Sequence, residues 1–272
     1  MVKISVLVPF YNSALFIKPC IDSVLKQTFK NFELILLNDG STDNSEEIVM
    51  QYHDKRIKYY KNEKNMGIPI SHNILLDYAE GEYAAVLDSD NICLPERLQK
   101  QAEFLDNHPD VTVVGSWGEL FNDLKEEGIW LKIKKMIVNM GWIWRQPYEV
   151  SLQETLRGNT CMHSSMMIRL ADFKNKNIRY NPDFAVAEDY DLLRQILTNG
   201  LKIRNIQEVL FKYRLFGANI SITKKKLMRE CDAKVKADIV KFLNIRNYHR
   251  YPYFLIIARK LRLKWLLKWI KL

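Results

Sequence analysis

The chain has 272 residues, 47% of them apolar, which suffices for one large or two small domains around a sizeable core and excludes a disordered or fibrous protein. Its net charge of +9 is unevenly placed: residues 201–272 hold 19 of the 41 lysines and arginines but only 4 of the 32 acids, so residues 1–200 are acidic on balance. Such a basic tail can mark nucleic-acid binding, yet no recognition helix, finger or RNA-binding signature accompanies it, and no nucleic-acid partner is expected.

In chain order, apolar segments alternate with helical ones. The strand KISVLVPF (3–10) precedes a helix over 14–27, and FELILLND (32–39) precedes one over 43–53. IKYYK (57–61) is followed by a helix over 68–79, YAAVLD (83–88) by one over 95–107, and VTVVGSW (111–117) ends the series. This alternation predicts β-α-β units, a mostly parallel, Rossmann-like sheet with helices on both faces. Such sheets bind ligands at the carboxyl ends of their strands, where this sequence places Pro9 and Tyr11, then Asp39, then Asp88 and Asp90. No glycine fingerprint follows the first strand and no phosphate loop is present, so any bound phosphate needs another device.

Asp88 and Asp90 suggest one. In extended chain their side chains share a face roughly 6 to 7 Å apart. At that distance a partly buried pair repels by about 2.5 kcal/mol at an effective dielectric of 20. A cation or a shared proton cancels that repulsion. Manganese or magnesium suits one or two carboxylates plus phosphate oxygens. The competing reading is a turn in which Asp88 or Ser89 caps the helix beginning near Pro95.

Four scattered cysteines (Cys20, Cys93, Cys161, Cys231) without metal spacing read as core thiols of a reducing compartment. The start leads straight into a strand and no uncharged apolar run reaches bilayer length, so a cytoplasmic location is expected.

Three blocks together, SVLVPFYNSALFIKPCIDSVLKQTFKNFELILLNDGSTDNS, NMGIPISHNILLDYAEGEYAAVLDSDN and AEDYDLLRQI, resemble in order and spacing the family 2 nucleotide-sugar glycosyltransferases of the GT-A fold. The likeness spans about residues 3 to 221. It implies an inverting transferase that uses a UDP-linked or similarly activated sugar, with Mn2+ or Mg2+ as cofactor. By resemblance, Pro9 and Tyr11 border the base and ribose, Asp39 accepts a hydrogen bond from the base, Asp88 meets the ribose or a metal-bound water, and Asp90 binds the metal. Asp189, or its neighbour Glu188, matches the catalytic base. Two positions depart from the family pattern. Asn91 stands where many relatives carry a third acid, and His72 where they carry an arginine, which would make donor binding pH-dependent unless His72 is a plain helix residue. MHSSMMIR (162–169) resembles a strand beside the acceptor cleft, so His163 is a candidate for the sugar site.

The expected organisation is a nucleotide-sugar half (1–117), an acceptor half of the same domain (118–221) and a basic helical tail (222–272). Trp117, Trp130, Trp142 and Trp144 bracket the variable region 118–160. Aromatic faces suit sugar rings, but core packing is the favoured reading. Residues 224–250 read as a solvated helix. They lead to YFLIIARKLRLKWLLKWIKL (253–272), an amphipathic helix suited to the cytoplasmic face of a membrane. A lipid-linked glycan would be a fitting acceptor for an enzyme held there. The rival readings are docking of that helix on protein, and a non-catalytic membrane-bound scaffold or sensor that only binds nucleotide sugars.

Overall fold

The computed structural model describes residues 2–122, 136, 140–215, 219 and 223–244. Among them, ten strands form one sheet. β1 (Ile4–Phe10), β2 (Phe32–Asn38), β3 (Ile57–Lys61) and β4 (Tyr83–Val86) are parallel, in the spatial order β3-β2-β1-β4. The sheet continues through β9 (Met167–Arg169), β6 (Val111–Phe121), β10 (Lys202–Arg214) and β5 (Ile92–Cys93). β9 runs antiparallel to both β4 and β6, whereas β6 and β10 are parallel. Two short strands lie off this path: β7 (Ile143–Trp144) pairs with β6, and β8 (Glu149–Val150) with β10.

The strand alternation sorts the core into two layers. Ile4, Val6, Val8 and Phe10 of β1 and Leu34 and Leu36 of β2 face α1 (Ile17–Leu25), α2 (Ser45–Met50) and α4 (Arg97–Asn107). Leu7, Ile35 and Leu37 face the other way, onto α3 (Ile68–Tyr78), α6 (Leu170–Lys176) and α7 (Glu188–Thr198). Helices on both faces explain why β2 is buried along its whole length and apolar over Leu34–Leu37. The helices and strands predicted over residues 3–117 are all present, most of them trimmed by one to three residues at their ends, and the strand from Val111 runs on to Phe121. The mostly parallel sheet between two helical layers is the GT-A arrangement that the resemblance implies.

Two expectations need correction. Residues 224–250 are not merely solvated: α8 (Lys225–Phe242) buries Cys231, Val235 and Ile239, one helix turn apart, against Phe184, Val186, Tyr190 and the short α5 (Leu152–Thr155). Trp142 and Trp144 are exposed rather than core, because β7 is a two-residue edge strand; Trp117 is half-buried and donates its indole N–H to the Gln146 carbonyl at 3.0 Å. Trp130 and the amphipathic segment 253–272 lie outside the described residues. Among the described residues, no helix is long and apolar enough to cross a membrane, and all four cysteines are free and buried.

Candidate active site

The strand β4 ends at Val86, two residues before the aspartates. Asp88 therefore opens a turn instead of continuing the strand, closed by the Asn91 N–H donating to the Asp88 carbonyl at 3.0 Å. The reason is competition at the strand end: Leu87 still donates to Leu7 of β1, but the Asp88 N–H donates to the Ser164 hydroxyl at 3.2 Å. Neither Asp88 nor Ser89 caps the next helix, which begins at Arg97 after Glu96.

The two carboxylates have different surroundings. Oδ2 of Asp88 accepts from the Ser164 hydroxyl and from Asn91 Nδ2 at 3.4 Å, and Oδ1 faces His163 Nδ1 at 3.5 Å. Burial works to raise its pKa, but His163 and Ser164 overcome that and hold Asp88 at about 2. Asp90 goes the other way, since burial and then the charge of Asp88 push it up to about 7. An ionised carboxylate beside one that resists ionisation is the electrostatic signature of a place where a cation would be welcome.

Two residues that the sequence did not single out, Ser164 and Arg214, join Asn91 in fixing this turn. Asn91 donates to the Ser164 hydroxyl at 2.7 Å and accepts the Arg214 backbone N–H at 2.9 Å, while Arg214 Nε donates to the Asp90 carbonyl at 2.8 Å. The asparagine that replaces a third acid is thus a cross-link between the aspartate turn, β10 and the 3-10 turn His163–Ser165. That 3-10 turn occupies the first half of the MHSSMMIR segment, and β9 the second.

At the end of β2, across β1 from the aspartate turn, Asp39 is buried and its carboxylate holds a loop. Oδ1 accepts from Asn62 Nδ2 at 2.7 Å and the Met66 N–H at 2.9 Å, and Oδ2 from the Gly67 N–H at 3.0 Å. Gly40 beside it has φ +72°, and a Cβ there would meet the Lys64 backbone at 2.6 Å, so the tight approach of this loop requires glycine. Pro9 is half-buried at the end of β1 and Tyr11 is exposed just beyond it. The Ser13 and Ser89 hydroxyls meet at 2.9 Å, joining the loop after β1 to the aspartate turn.

His72 is not where a donor could reach it. It is fully buried on α3, its ring stacked on Tyr180 with centroids 4.8 Å apart and edge-on to His163 at 4.6 Å. Burial, then the neighbouring His163, lower its pKa to about 3, so it stays neutral at working pH. The pH-dependent donor binding expected of it is therefore not supported. His163 behaves oppositely: burial disfavours its charge, but Asp88 raises it to about 8. Among the described residues, His72, Asp88 and His163 are the one group that brings ligating atoms within 4.8 Å of one another.

Glu188 and Asp189 open α7, as a helix N-terminus favours. Asp189 Oδ2 accepts from Asn159 Nδ2 at 2.6 Å and Oδ1 from the Tyr190 N–H at 2.7 Å. Burial raises the Asp189 pKa; burial and then the Asp189 charge raise Glu188 to about 8. Both carboxylates feel Asp88 and His163, which puts the end of α7 and the aspartate turn in one electrostatic site.

The sequence matches the profile described as "Glycosyl transferase family 2" over residues 5–174, a span that takes in both the Asp39 loop and the aspartate turn. The chain belongs to that family. It is a family 2 glycosyltransferase of GT-A fold. Two Escherichia coli relatives align along nearly their whole lengths: the UDP-Glc:alpha-D-GlcNAc-diphosphoundecaprenol beta-1,3-glucosyltransferase WfgD is 30% identical over 94% of each chain. WfaP, of the same description, is 28% identical over 92% of this chain and 90% of its own. The S. aureus TarS structure in complex with UDP-GlcNAc superposes with a TM-score of 0.67 at 24% identity, covering 89% of this glycosyltransferase and 72% of that chain, a likeness of fold.

Proposed function

We propose that this family 2 glycosyltransferase moves a sugar, with inversion, from a UDP-linked donor to a hydroxyl of a lipid-linked glycan in surface-polysaccharide synthesis. The observation that carries the reading is the grouping of Asp88, Glu188 and Asp189 around His163, with Asp90 beside Asp88 and Asp39 at the end of β2, across β1 from β4. The E. coli relatives act, by their descriptions, on a diphosphoundecaprenol-linked sugar with UDP-Glc, which favours both the donor nucleotide and a lipid-linked acceptor.

In this reading Pro9 and Tyr11 border the base and ribose, and the free face of Asp39 Oδ2 accepts from the base. Asp88 and Asp90 fit a divalent cation, Mn2+ or Mg2+, because Asp90 pays for its proximity to Asp88 with a pKa of about 7 that a cation would relieve. Such a cation, when bound, neutralises charge on the departing diphosphate. Asp189, its carboxylate aimed by Asn159 and the Tyr190 N–H, takes the proton of the acceptor hydroxyl as that oxygen attacks the anomeric carbon opposite the diphosphate. Exposed Trp142 and Trp144 offer flat faces to the acceptor. The basic segment 253–272 would hold the enzyme on the cytoplasmic membrane surface beside such an acceptor.

The deciding experiment is calorimetric titration with UDP, GDP and dTDP, with and without Mn2+, repeated on Asp90→Asn. Metal-dependent binding of UDP that is lost in the variant supports the reading. Equal binding with and without metal refutes the cation's place at the aspartate pair, and preference for another nucleotide refutes the UDP donor.

A further inference from the structure

His72 is the anomaly of the site. It is fully buried on α3 and neither Nδ1 nor Nε2 has a hydrogen-bond partner among the described residues. An imidazole always carries at least one N–H and, when neutral, one lone pair, and leaving a buried polar group unmatched costs about 1–3 kcal/mol.

The neighbours are arranged as if for a common ligand. Oδ1 of Asp88 and Nδ1 of His163 are 3.5 Å apart. A charge-assisted hydrogen bond would be near 2.7–2.9 Å. The observed gap is closer to the separation of about 3.3 Å between two ligands on a tetrahedral ion with bonds of ~2.0–2.1 Å. The other oxygen of Asp88 is taken by Ser164 and Asn91, so Oδ1 is the one left to coordinate. The other nitrogen of His163 meets the Tyr180 hydroxyl at 2.8 Å. Tyr180 is itself fixed to α3, its N–H donating to Asn73 Oδ1 at 2.9 Å and its carbonyl accepting from Asn73 Nδ2 at 2.8 Å. A histidine whose far nitrogen is held by a hydrogen bond, presenting the near one to a carboxylate, has the outer support that metal-bound histidines have.

We propose that His72, His163 Nδ1 and Asp88 Oδ1 form a transition-metal site, which shares Asp88 with the Asp88–Asp90 pair and takes its other two ligands from the histidines. The three ligating atoms lie within 4.8 Å of one another, so closing on an ion brings the most separated pair about 1.5 Å nearer. Two imidazoles and one carboxylate favour zinc, iron or cobalt over magnesium, which prefers all-oxygen sets. Three protein ligands leave a position open for water. The site depends on His72.

The test is a Co2+ titration of the full chain, free of any histidine tag, followed by visible absorption, with Zn2+ stoichiometry measured by elemental analysis. One equivalent is expected, and His72→Gln and His163→Gln each weaken Co2+ binding beyond the ~10–100-fold that an outer-sphere change costs, while Asp90→Asn keeps it. Ring-nitrogen NMR of 15N-histidine-labelled wild-type protein, expected to show two histidines shifting on Zn2+ addition, reads the same ligation without substitution should a variant fail to fold. Absence of bound metal, or binding lost in Asp90→Asn but retained in both histidine variants with no ring-nitrogen shift, overturns the proposal. Neither result bears on nucleotide binding, which the calorimetry above reads separately.

Discussion

Asn159 donates its side-chain amide to Oδ2 of Asp189 at 2.6 Å, across 30 residues of sequence. The bond fixes one carboxylate oxygen while the Tyr190 N–H holds the other, so the proposed base is oriented by the fold itself. Asp189→Asn is expected to lower the turnover rate by ~10²- to 10⁴-fold with donor affinity unchanged. Steady-state rates alongside donor calorimetry check this, and near-full activity would remove Asp189 from the role. Asn159→Ala, which frees the carboxylate without deleting it, should cost less in rate than Asp189→Asn.

Glu188 gives a pH signature. Burial and the Asp189 charge raise its pKa in the fold to about 8, above the ordinary carboxyl value. The folded state therefore holds a proton that the unfolded chain releases, so the stability this proton brings is full at low pH and is lost as pH rises from about 4.5 through 8. Glu188→Gln should flatten that decline and raise Tm at pH 8.5 by on the order of 5 °C. A wild-type melting curve that does not change between pH 5 and 8.5 would contradict the assignment.

Arg97 is a cation buried without a carboxylate. Its guanidinium donates to Val86 O at 2.8 Å, Met166 O at 3.3 Å, Gln101 Oε1 at 2.9 Å and the Cys93 sulfur at 3.3 Å, tying β4 and the residue before β9 to the first turn of α4. The fork of donors is what matters here, so Arg97→Lys should not rescue it. Both Arg97→Met and Arg97→Lys are expected to lose about 3 kcal/mol or more by denaturant unfolding, since each leaves buried carbonyls unmatched. A lysine variant of wild-type stability would show that charge alone suffices.

Asp39→Ala removes three hydrogen bonds from the loop Asn62–Gly67. The expected outcome is a stability loss of about 2–4 kcal/mol together with weaker nucleotide binding, because one carboxylate both shapes the loop and faces the proposed base pocket. If Asp39→Asn restores stability without restoring nucleotide affinity, the two roles separate.

The alternation of apolar segments was enough to read the β-α-β frame, because β1, β2 and β4 each carry a buried run, β3 a partly buried one, and each connection is a helix. Asp39, Asp88, Asp90 and Asp189 were legible as polar residues at the ends of such elements. The supporting residues were not. Ser164, Asn159 and Arg214 meet Asp88, Asp189 and Asp90 from 76, 30 and 124 residues away, and no local pattern encodes a hydrogen bond of that span. The surroundings of His72 stayed open for the same reason: SHNILL shows a helix, but whether that face meets a donor or Tyr180 is decided by where residues 163–180 return.

The position of β9 has a practical corollary for engineering. Its three residues come from the part of the chain beyond residue 117, yet they sit between β4 and β6 and hydrogen-bond to both. A hybrid enzyme made by joining residues 1–117 of this chain to the remainder of a relative would import a foreign central strand into the donor sheet, together with the serine that holds Asp88. A hybrid that grafts only loops, such as that around β7, and keeps 163–169 native leaves this strand and its serine in place.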